Sequence, residues 1–345
     1  MTIAELFSPE TAYLNTAGYG LPPRPAVEAL ERVVDQWRHG RTPWTEWQES
    51  VDVARGLFAS LVDVLPDDVA VGTQVSTFVG LVALSLPAGA RVVAPEEEFT
   101  SVLFPLLARD DLRVELVPLD ELVNTVAEGV DLVAVSAVQS ADGRLADLDA
   151  IARAAGAAGA LTLVDSTQAC GWLPFDAARC DYTVCATYKW LLAPRGCAFM
   201  TTRPEAAGRL TPHLAGWFNA DPPAASYGGP LRIASTARRF DLSPAWFSWV
   251  AQAPALKVLL DVGIDVVRDH DVAMANRFRA GLGLPESDSA IVSVAPPNGA
   301  RGELDAAGVM YADHGDLLRF SFHLYTTSEH VDRALDCRVN QPEAD

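Results

Sequence analysis

The sequence predicts an α/β fold built on a mainly parallel sheet, and three observations carry that prediction. Between Asp68 and Gly196 short apolar runs alternate with stretches of helical spacing. The runs have the length of buried strands, and two of them end abruptly in polar clusters: Leu161 to Val164 runs into Asp165, and Tyr182 to Ala186 runs into Thr187. In such sheets ligands bind outside the carboxyl ends of the strands, which puts Asp165 and Lys189 at one crevice. A lysine there can form a Schiff base, and a carboxylate can hold a heteroaromatic nitrogen protonated. A strand-end Asp and a surface Lys that never meet would leave the same local pattern.

Each element follows from local signals. Tyr13 to Pro23 is a loop of turn residues in which Asn15 and Thr16 either reach a site or simply turn the chain. Arg24 to Trp37 has helical spacing at Val27, Leu30, Val33, Val34 and Trp37. Trp44 and Trp47 are expected in a loop, packing or lining a pocket mouth, and a helix is expected from Val51 to Leu65, stopped by Pro66. After a strand at Asp68 to Val71, Gly72 and small polar residues precede a helix. That is the composition of a phosphate cradle, and equally of an ordinary N-cap.

Arg91 to Ala94 is the next strand. Phe99 follows three acidic residues, an odd place for a core residue and a suitable one for a ring that stacks on a flat ligand. Strands are expected at Arg113 to Pro118 and Asp131 to Val135, the second opening into a polar loop, Ser136 to Gly143, placed to carry substrate or cofactor contacts. A helix spans Leu148 to Ala158. Pro222 to Pro230 reads as a linker. Beyond it come helices at Trp246 to Leu260 and Gly263 to Leu282, strands at Ile291 to Val294, Val309 to Ala312 and Leu317 to Phe322, and a last helix from Ser328 to Cys337. The expected units are a large domain, 16–245, and a small α+β domain, 246–345 with 1–15.

With 345 residues, half of them hydrophobic and 21% charged, the chain has globular composition and ample core. Its net charge of −19 lacks the basic face that nucleic acid or an anionic membrane requires. No run reaches the ~18 apolar residues of a membrane span, and the start lacks a signal-peptide pattern. The five cysteines, Cys170, Cys180, Cys185, Cys197 and Cys337, show no C-x-x-C spacing, which fits free thiols in a reducing cytoplasm and no metal site.

The residues Asp165, Gln168 and Lys189, with Tyr188-Lys-Trp-Leu-Leu and Pro194-Arg-Gly, give the chain a resemblance to the class V aminotransferase-like family of pyridoxal-phosphate enzymes, of fold type I. The family includes cysteine desulfurases, kynureninase-like lyases and isopenicillin N epimerase-like proteins, and the resemblance runs from Leu14 to Leu335. It implies a seven-stranded sheet, pyridoxal 5'-phosphate as cofactor and an amino acid as substrate. Lys189 would carry the cofactor as a Schiff base and move the Cα proton. Asp165 would pair with the ring nitrogen, Gln168 with the phenolic oxygen, and Phe99 would stack on the ring face. Phenylalanine there, in place of the histidine of many relatives, points to the epimerase-like and kynureninase-like side.

Further roles implied by the resemblance complete the site. The phosphate would meet Val75, Ser76 and Tyr188. Ser243 would reach the phosphate of a neighbouring subunit, which implies a homodimer with the active site at its interface. Arg319 would take the substrate α-carboxylate, the alternative being a surface arginine at a strand edge; Asn15 is a further substrate-side candidate. His323 is expected to pack locally. No cysteine lies between Cys197 and Cys337, so the mobile nucleophile of a cysteine desulfurase is missing. Aminotransfer is the first reading of the reaction. Elimination, as in a C–S lyase, comes second, epimerisation third, and a non-catalytic cofactor-binding protein last. A nicotinamide-dependent dehydrogenase is set aside for want of G-x-G-x-x-G after a first strand.

Overall fold

A computed structural model describes residues 3–221, 227–337 and 339; the first two residues, most of the C-terminal tail and part of the Pro222 to Pro230 linker lie outside the described residues. The chain opens with α1 (Ile3–Leu6), β1 (Ala12–Tyr13), α2 (Arg24–Arg38) and α3 (Trp44–Leu61). An alternating stretch follows: β2 (Val69–Gly72), α4 (Val75–Ser85), β3 (Arg91–Pro95), α5 (Thr100–Leu107), β4 (Arg113–Val117), α6 (Leu122–Thr125), β5 (Leu132–Ser136), α7 (Leu148–Ala158), β6 (Leu161–Asp165), β7 (Tyr182–Ala186) and β8 (Ala198–Thr202). Beyond α8 (Pro204–Ala207) come α9 (Trp246–Val262), α10 (Ile264–Gly281), β9 (Ile291–Val294), α11 (Ala300–Ala306), β10 (Val309–Met310), β11 (Ala312–Asp313), β12 (Leu318–Ser321) and α12 (Ser328–Leu335).

Seven strands form the main sheet in the order β2-β8-β7-β6-β5-β3-β4. The pairs from β4 to β7 are parallel, and β8 runs antiparallel to both β7 and β2. Six strands therefore point one way, and their carboxyl ends share one edge. The strands are apolar on both faces because both faces are covered. In β5, Val133 and Val135 join one core with Phe58 and Trp249, while Leu132 and Ala134 join a second with Phe78 and Leu106. A third core lies around the three-stranded sheet β11-β12-β9, where Phe278, Phe320 and Phe322 meet.

Two long helices, α3 and α9, pack together against the first face. Phe58 of α3 stacks flat on Phe199 of β8, with ring centroids 4.0 Å apart and planes 7° apart, and Trp249 of α9 meets the same ring edge-on at 5.1 Å. Arg55, also on α3, forms a buried two-bond pair with Asp241 at 3.0 and 2.8 Å and donates to the Val69 carbonyl at 2.6 Å. Asp241 also accepts from the Val71 N–H at 2.9 Å. The start of the segment leading to α9 is thus tied to β2.

Several expectations change. Trp44 and Trp47 are not in a loop: α3 begins at Trp44, after Pro43, and Trp47, Val51, Ala54 and Phe58 form its buried stripe. The helix ends at Leu61, four residues before Leu65. α5, β1 and β8 were not expected. The stretch Val309 to Ala312 splits into two short strands in different sheets, β10 beside β1 and β11 beside β12.

Phe58→Ala removes the flat stack on Phe199 from a site with no exposure. It is expected to cost about 3–5 kcal/mol, read as a lower denaturant midpoint with an unchanged slope.

Candidate active site

The shared edge of the sheet holds a cavity of about 260 Å³. It is lined by residues from the ends of five parallel strands: Thr73 and Val75 after β2, Phe99 after β3, Ser136 and Ser140 at the end of β5, Asp165 and Gln168 at β6, and Tyr188 and Lys189 after β7. A larger hollow of about 670 Å³, bounded by Leu61, Asp149, Arg179 and Asp265, contains none of the motif residues.

Lys189 and Asp165 share this cavity, and each is buried, at 6% and 5% exposure. Burial, reinforced by the positive charge of Arg319, pulls the Lys189 ammonium down to about 8, against the pull of Asp165 in the other direction. Burial pushes Asp165 up to about 6, although Thr167 donates its N–H to the carboxylate at 2.8 Å. Lys189 Nζ lies 5.2 Å from the centroid of the Phe99 ring and 5.9 Å from that of Tyr188. The lysine loop is held by close backbone contact. Gly20 donates its N–H to the Tyr188 carbonyl at 2.9 Å, and a Cβ at Gly20 would overlap the Lys189 carbonyl. At Gly171, where φ is +113°, a Cβ would likewise overlap the Trp190 carbonyl.

Gln168 is gripped on every side. Trp190 Nε1 donates to its side-chain oxygen at 2.7 Å, and Trp172 Nε1 donates to its backbone carbonyl at 2.6 Å. Its own amide donates to the Ala17 carbonyl at 3.1 Å and to Ser140 Oγ at 2.9 Å. The same Ser140 hydroxyl and its carbonyl receive Arg319 Nη1, at 2.9 and 2.5 Å. Arg319 is not at a surface edge: it sits on β12, the middle strand of its sheet, at 4% exposure. Burial lowers its pKa to about 10, which leaves it charged at neutral pH. Its Nε is buried without a hydrogen-bond partner.

α4 begins at Val75 with no side chain capping it, and Val75 and Ser76 line the cavity, so the free N–H groups of a helix start belong to its wall. Arg195, quoted in the motif but given no role from sequence, stacks on Tyr188 at 4.3 Å and lines the cavity. Ser140 falls in the polar loop expected to carry contacts, though nothing singled it out there. Arg195 and Glu98 are the neighbours that sequence reasoning missed: the Ser136 and Gln139 donors to Glu98 lie 38 and 41 residues further along the chain, so no local spacing marks them.

Four expected residues stand apart from the cavity wall. Arg319 reaches it only through the lining residue Ser140. Ser243 is exposed and accepts from Trp217 Nε1 at 3.2 Å. Asn15 pairs with Ser321, two residues beyond Arg319, and its side-chain oxygen is buried without a partner. Thr16 is buried against Tyr325, 2.6 Å from its hydroxyl, and serves packing. His323 packs locally as expected, with Nδ1 2.9 Å from Asp271 and Nε2 3.2 Å from the Trp190 carbonyl.

Comparison with known proteins gives this site a lineage. The sequence model of the family described as Aminotransferase class-V matches residues 72–299. An uncharacterized aminotransferase, YcbU of Bacillus subtilis, is 30% identical over 335 residues, covering 90% of this chain and 89% of that protein. Isopenicillin N epimerase of Streptomyces clavuligerus is 27% identical over 96% of this chain and 95% of its own length. Among solved structures, the cystine C–S lyase C-DES in complex with cysteine persulfide superposes with a TM-score of 0.86 at 19% identity, covering 96% of this chain and 98% of that one. The chain belongs to the class V aminotransferase family, with the type I fold of pyridoxal-phosphate enzymes, and its cofactor is pyridoxal phosphate.

The residues present fit that cofactor. An uncapped helix start suits a phosphate, a buried carboxylate suits a protonated ring nitrogen, and a buried lysine of lowered pKa suits a carbonyl. The neutral amine is the reactive form. Attachment of pyridoxal phosphate to cofactor-free protein should therefore accelerate with rising pH and level off above about 8; an increase continuing to 10.5 would contradict the buried setting of Lys189.

Proposed function

We propose that the protein is an aminotransferase that exchanges the amino group of an amino acid. The observation that carries the amino-acid part is Arg319: a buried guanidinium beside Lys189 with Nη1 anchored on Ser140 and Nε left without a partner. A buried donor without an acceptor is costly, and a substrate carboxylate would satisfy it with a charge-assisted bond. Aminotransfer draws support from the relative described as an aminotransferase, and it needs the least equipment beyond the shared site.

When bound, pyridoxal phosphate supplies the electron sink that lets the Cα proton leave. Lys189 holds the cofactor and carries that proton, a task matched to an amine of pKa about 8. Asp165 keeps the proton on the ring nitrogen. Phe99 would shield one face of the ring from water. Gln168 would stand beside the ring in a fixed position, its two amide hydrogens held by Ala17 and Ser140 and so not directed at the phenolic oxygen. Arg319 would orient the substrate carboxylate. Asn15, beside Ser321, sits on the substrate side with its free side-chain oxygen.

A second reading, elimination or epimerisation, draws on relatives described as kynureninase and isopenicillin N epimerase. Cysteine desulfuration does not fit: all five cysteines are buried, and burial pushes Cys185 and Cys197 well above the ordinary thiol range and Cys180 up to about 12. Free buried thiols agree with a reducing, cytoplasmic setting. Among the described residues no helix is long and apolar enough to cross a membrane.

A homodimer accounts for Ser243. Exposed Trp37 and Trp44, at 60% and 50%, surround Trp246 and Phe247 close to that residue, an aromatic face that suits a second copy of the chain. The division into a large unit, 16–245, and a small one, 246–345 with 1–15, is part of the same proposal, with α9 the part of the second that packs against the main sheet.

The purified protein is expected to be yellow, and Lys189→Ala to lose the borohydride-fixable cofactor. Arg319→Ala should raise KM by about 10–100-fold while cofactor retention holds. An amino acid with a keto-acid acceptor should give exchange, whereas pyruvate and ammonia formed without acceptor would select elimination. Sulfide release from cysteine should be absent.

A further inference from the structure

We propose that Glu98 is a positioning residue of this site: its buried carboxylate gathers Phe99, Ser136 and Gln139 into a fixed wall one strand away from Asp165. Glu98 Oε1 accepts from the Phe99 N–H at 2.8 Å and from the Ser136 hydroxyl at 2.5 Å. Oε2 accepts from the Ser136 N–H at 2.6 Å and from Gln139 Nε2 at 3.1 Å. Glu98 is 5% exposed, and among the described residues no lysine or arginine lies within ion-pair distance of it. A carboxylate buried without a cation is tolerated only when donors use its lone pairs, and four donors on two oxygens do so. Its neighbours behave differently. Glu96 and Glu97 are exposed, and Glu97 pairs with Arg144 at 3.1 Å.

Ser136 makes the connection to the reactive end. It is the register partner of Asp165 across β5 and β6, and the next N–H, of Ala137, donates to the Asp165 carbonyl at 2.9 Å. One residue thus carries Glu98 on one side and Asp165 on the other. Two effects follow. The backbone of Phe99 is pinned, so its ring stays over the cavity facing Lys189. A second buried negative charge also stands near Asp165, and its repulsion adds to the effect of burial on that group. The other titratable groups that act on Asp165 or feel it are Lys189, Tyr188 and Cys185, from β7 and the loop after it. With a protonated ring nitrogen against Asp165, both carboxylates favour the cofactor's proton. This part rests on the reading of Asp165 given above.

The test is a pH titration of the visible absorbance of bound pyridoxal phosphate, with the cofactor dissociation constant measured on the same preparations. Glu98→Gln should move the titration midpoint down by about 0.5–1 unit and weaken cofactor binding about five- to tenfold. Glu98→Asp, which keeps the charge, should recover most of the midpoint. An unchanged midpoint in folded Glu98→Gln overturns the proposal. Should that variant not fold, Gln139→Leu, which removes one donor from Glu98, decides: a shifted midpoint in the same absorbance titration supports the proposal, and an unchanged one overturns it. Asp165→Asn loaded with ¹⁵N-labelled pyridoxal phosphate separates the two readings. Unchanged ring protonation there removes Asp165 from its role, whatever Glu98 does.

Discussion

Burying the ammonium of Lys189 is the constraint on which the rest of the site depends. A lysine stripped of water is held only where the surroundings compensate or where it gives up its proton readily. Here both occur. Asp165 attracts the charge, the faces of Phe99 and Tyr188 stand near it, and the pKa still falls. Arg319 pushes in the same direction, so the residue proposed to receive a carboxylate also helps to free the amine. Once a carboxylate neutralised that arginine, the pressure on Lys189 would relax.

The site is assembled from two parts of the chain that share a single hydroxyl. Ser140, in the loop after β5, takes Gln168 from the sheet edge and Arg319 from the C-terminal sheet. Neither long residue is free to choose another orientation, because each has a second anchor: Ala17 for Gln168 and the Ser140 carbonyl for Arg319. The N-terminal loop joins the same assembly through Ala17, Gly20 and Asn15, so three separated segments converge without a metal or disulfide among the described residues.

Much of this was legible from local pattern. β6, β7 and α7 stop where their apolar runs stop, and the D-x-x-Q spacing with the later lysine pointed to one crevice. The early start of α3 was masked by Pro43, which reads as a breaker although proline is well tolerated at a helix start. α5 escaped because it has no side-chain cap and contains Pro105. β8 follows closely on the Pro194-Arg-Gly turn, and its reversed direction is a matter of long-range pairing that no local window holds. Glu98 is one of three consecutive acids in the sequence, and three of its four donors become neighbours only when β3 and β5 lie side by side. Ser243 and Asn15 carry no local mark of a role, and the cavity wall does not include them.

The grip on Gln168 has an optical side. Two indoles, Trp172 and Trp190, are bonded to that one residue, lie 5.6 Å apart and are fully buried, and Trp190 is the residue next to Lys189. A chromophore seated against Gln168 would lie within energy-transfer range of both rings. Two of the chain's eight tryptophans thus form a built-in emission probe at the place where cofactor and substrate would arrive, with no label to attach.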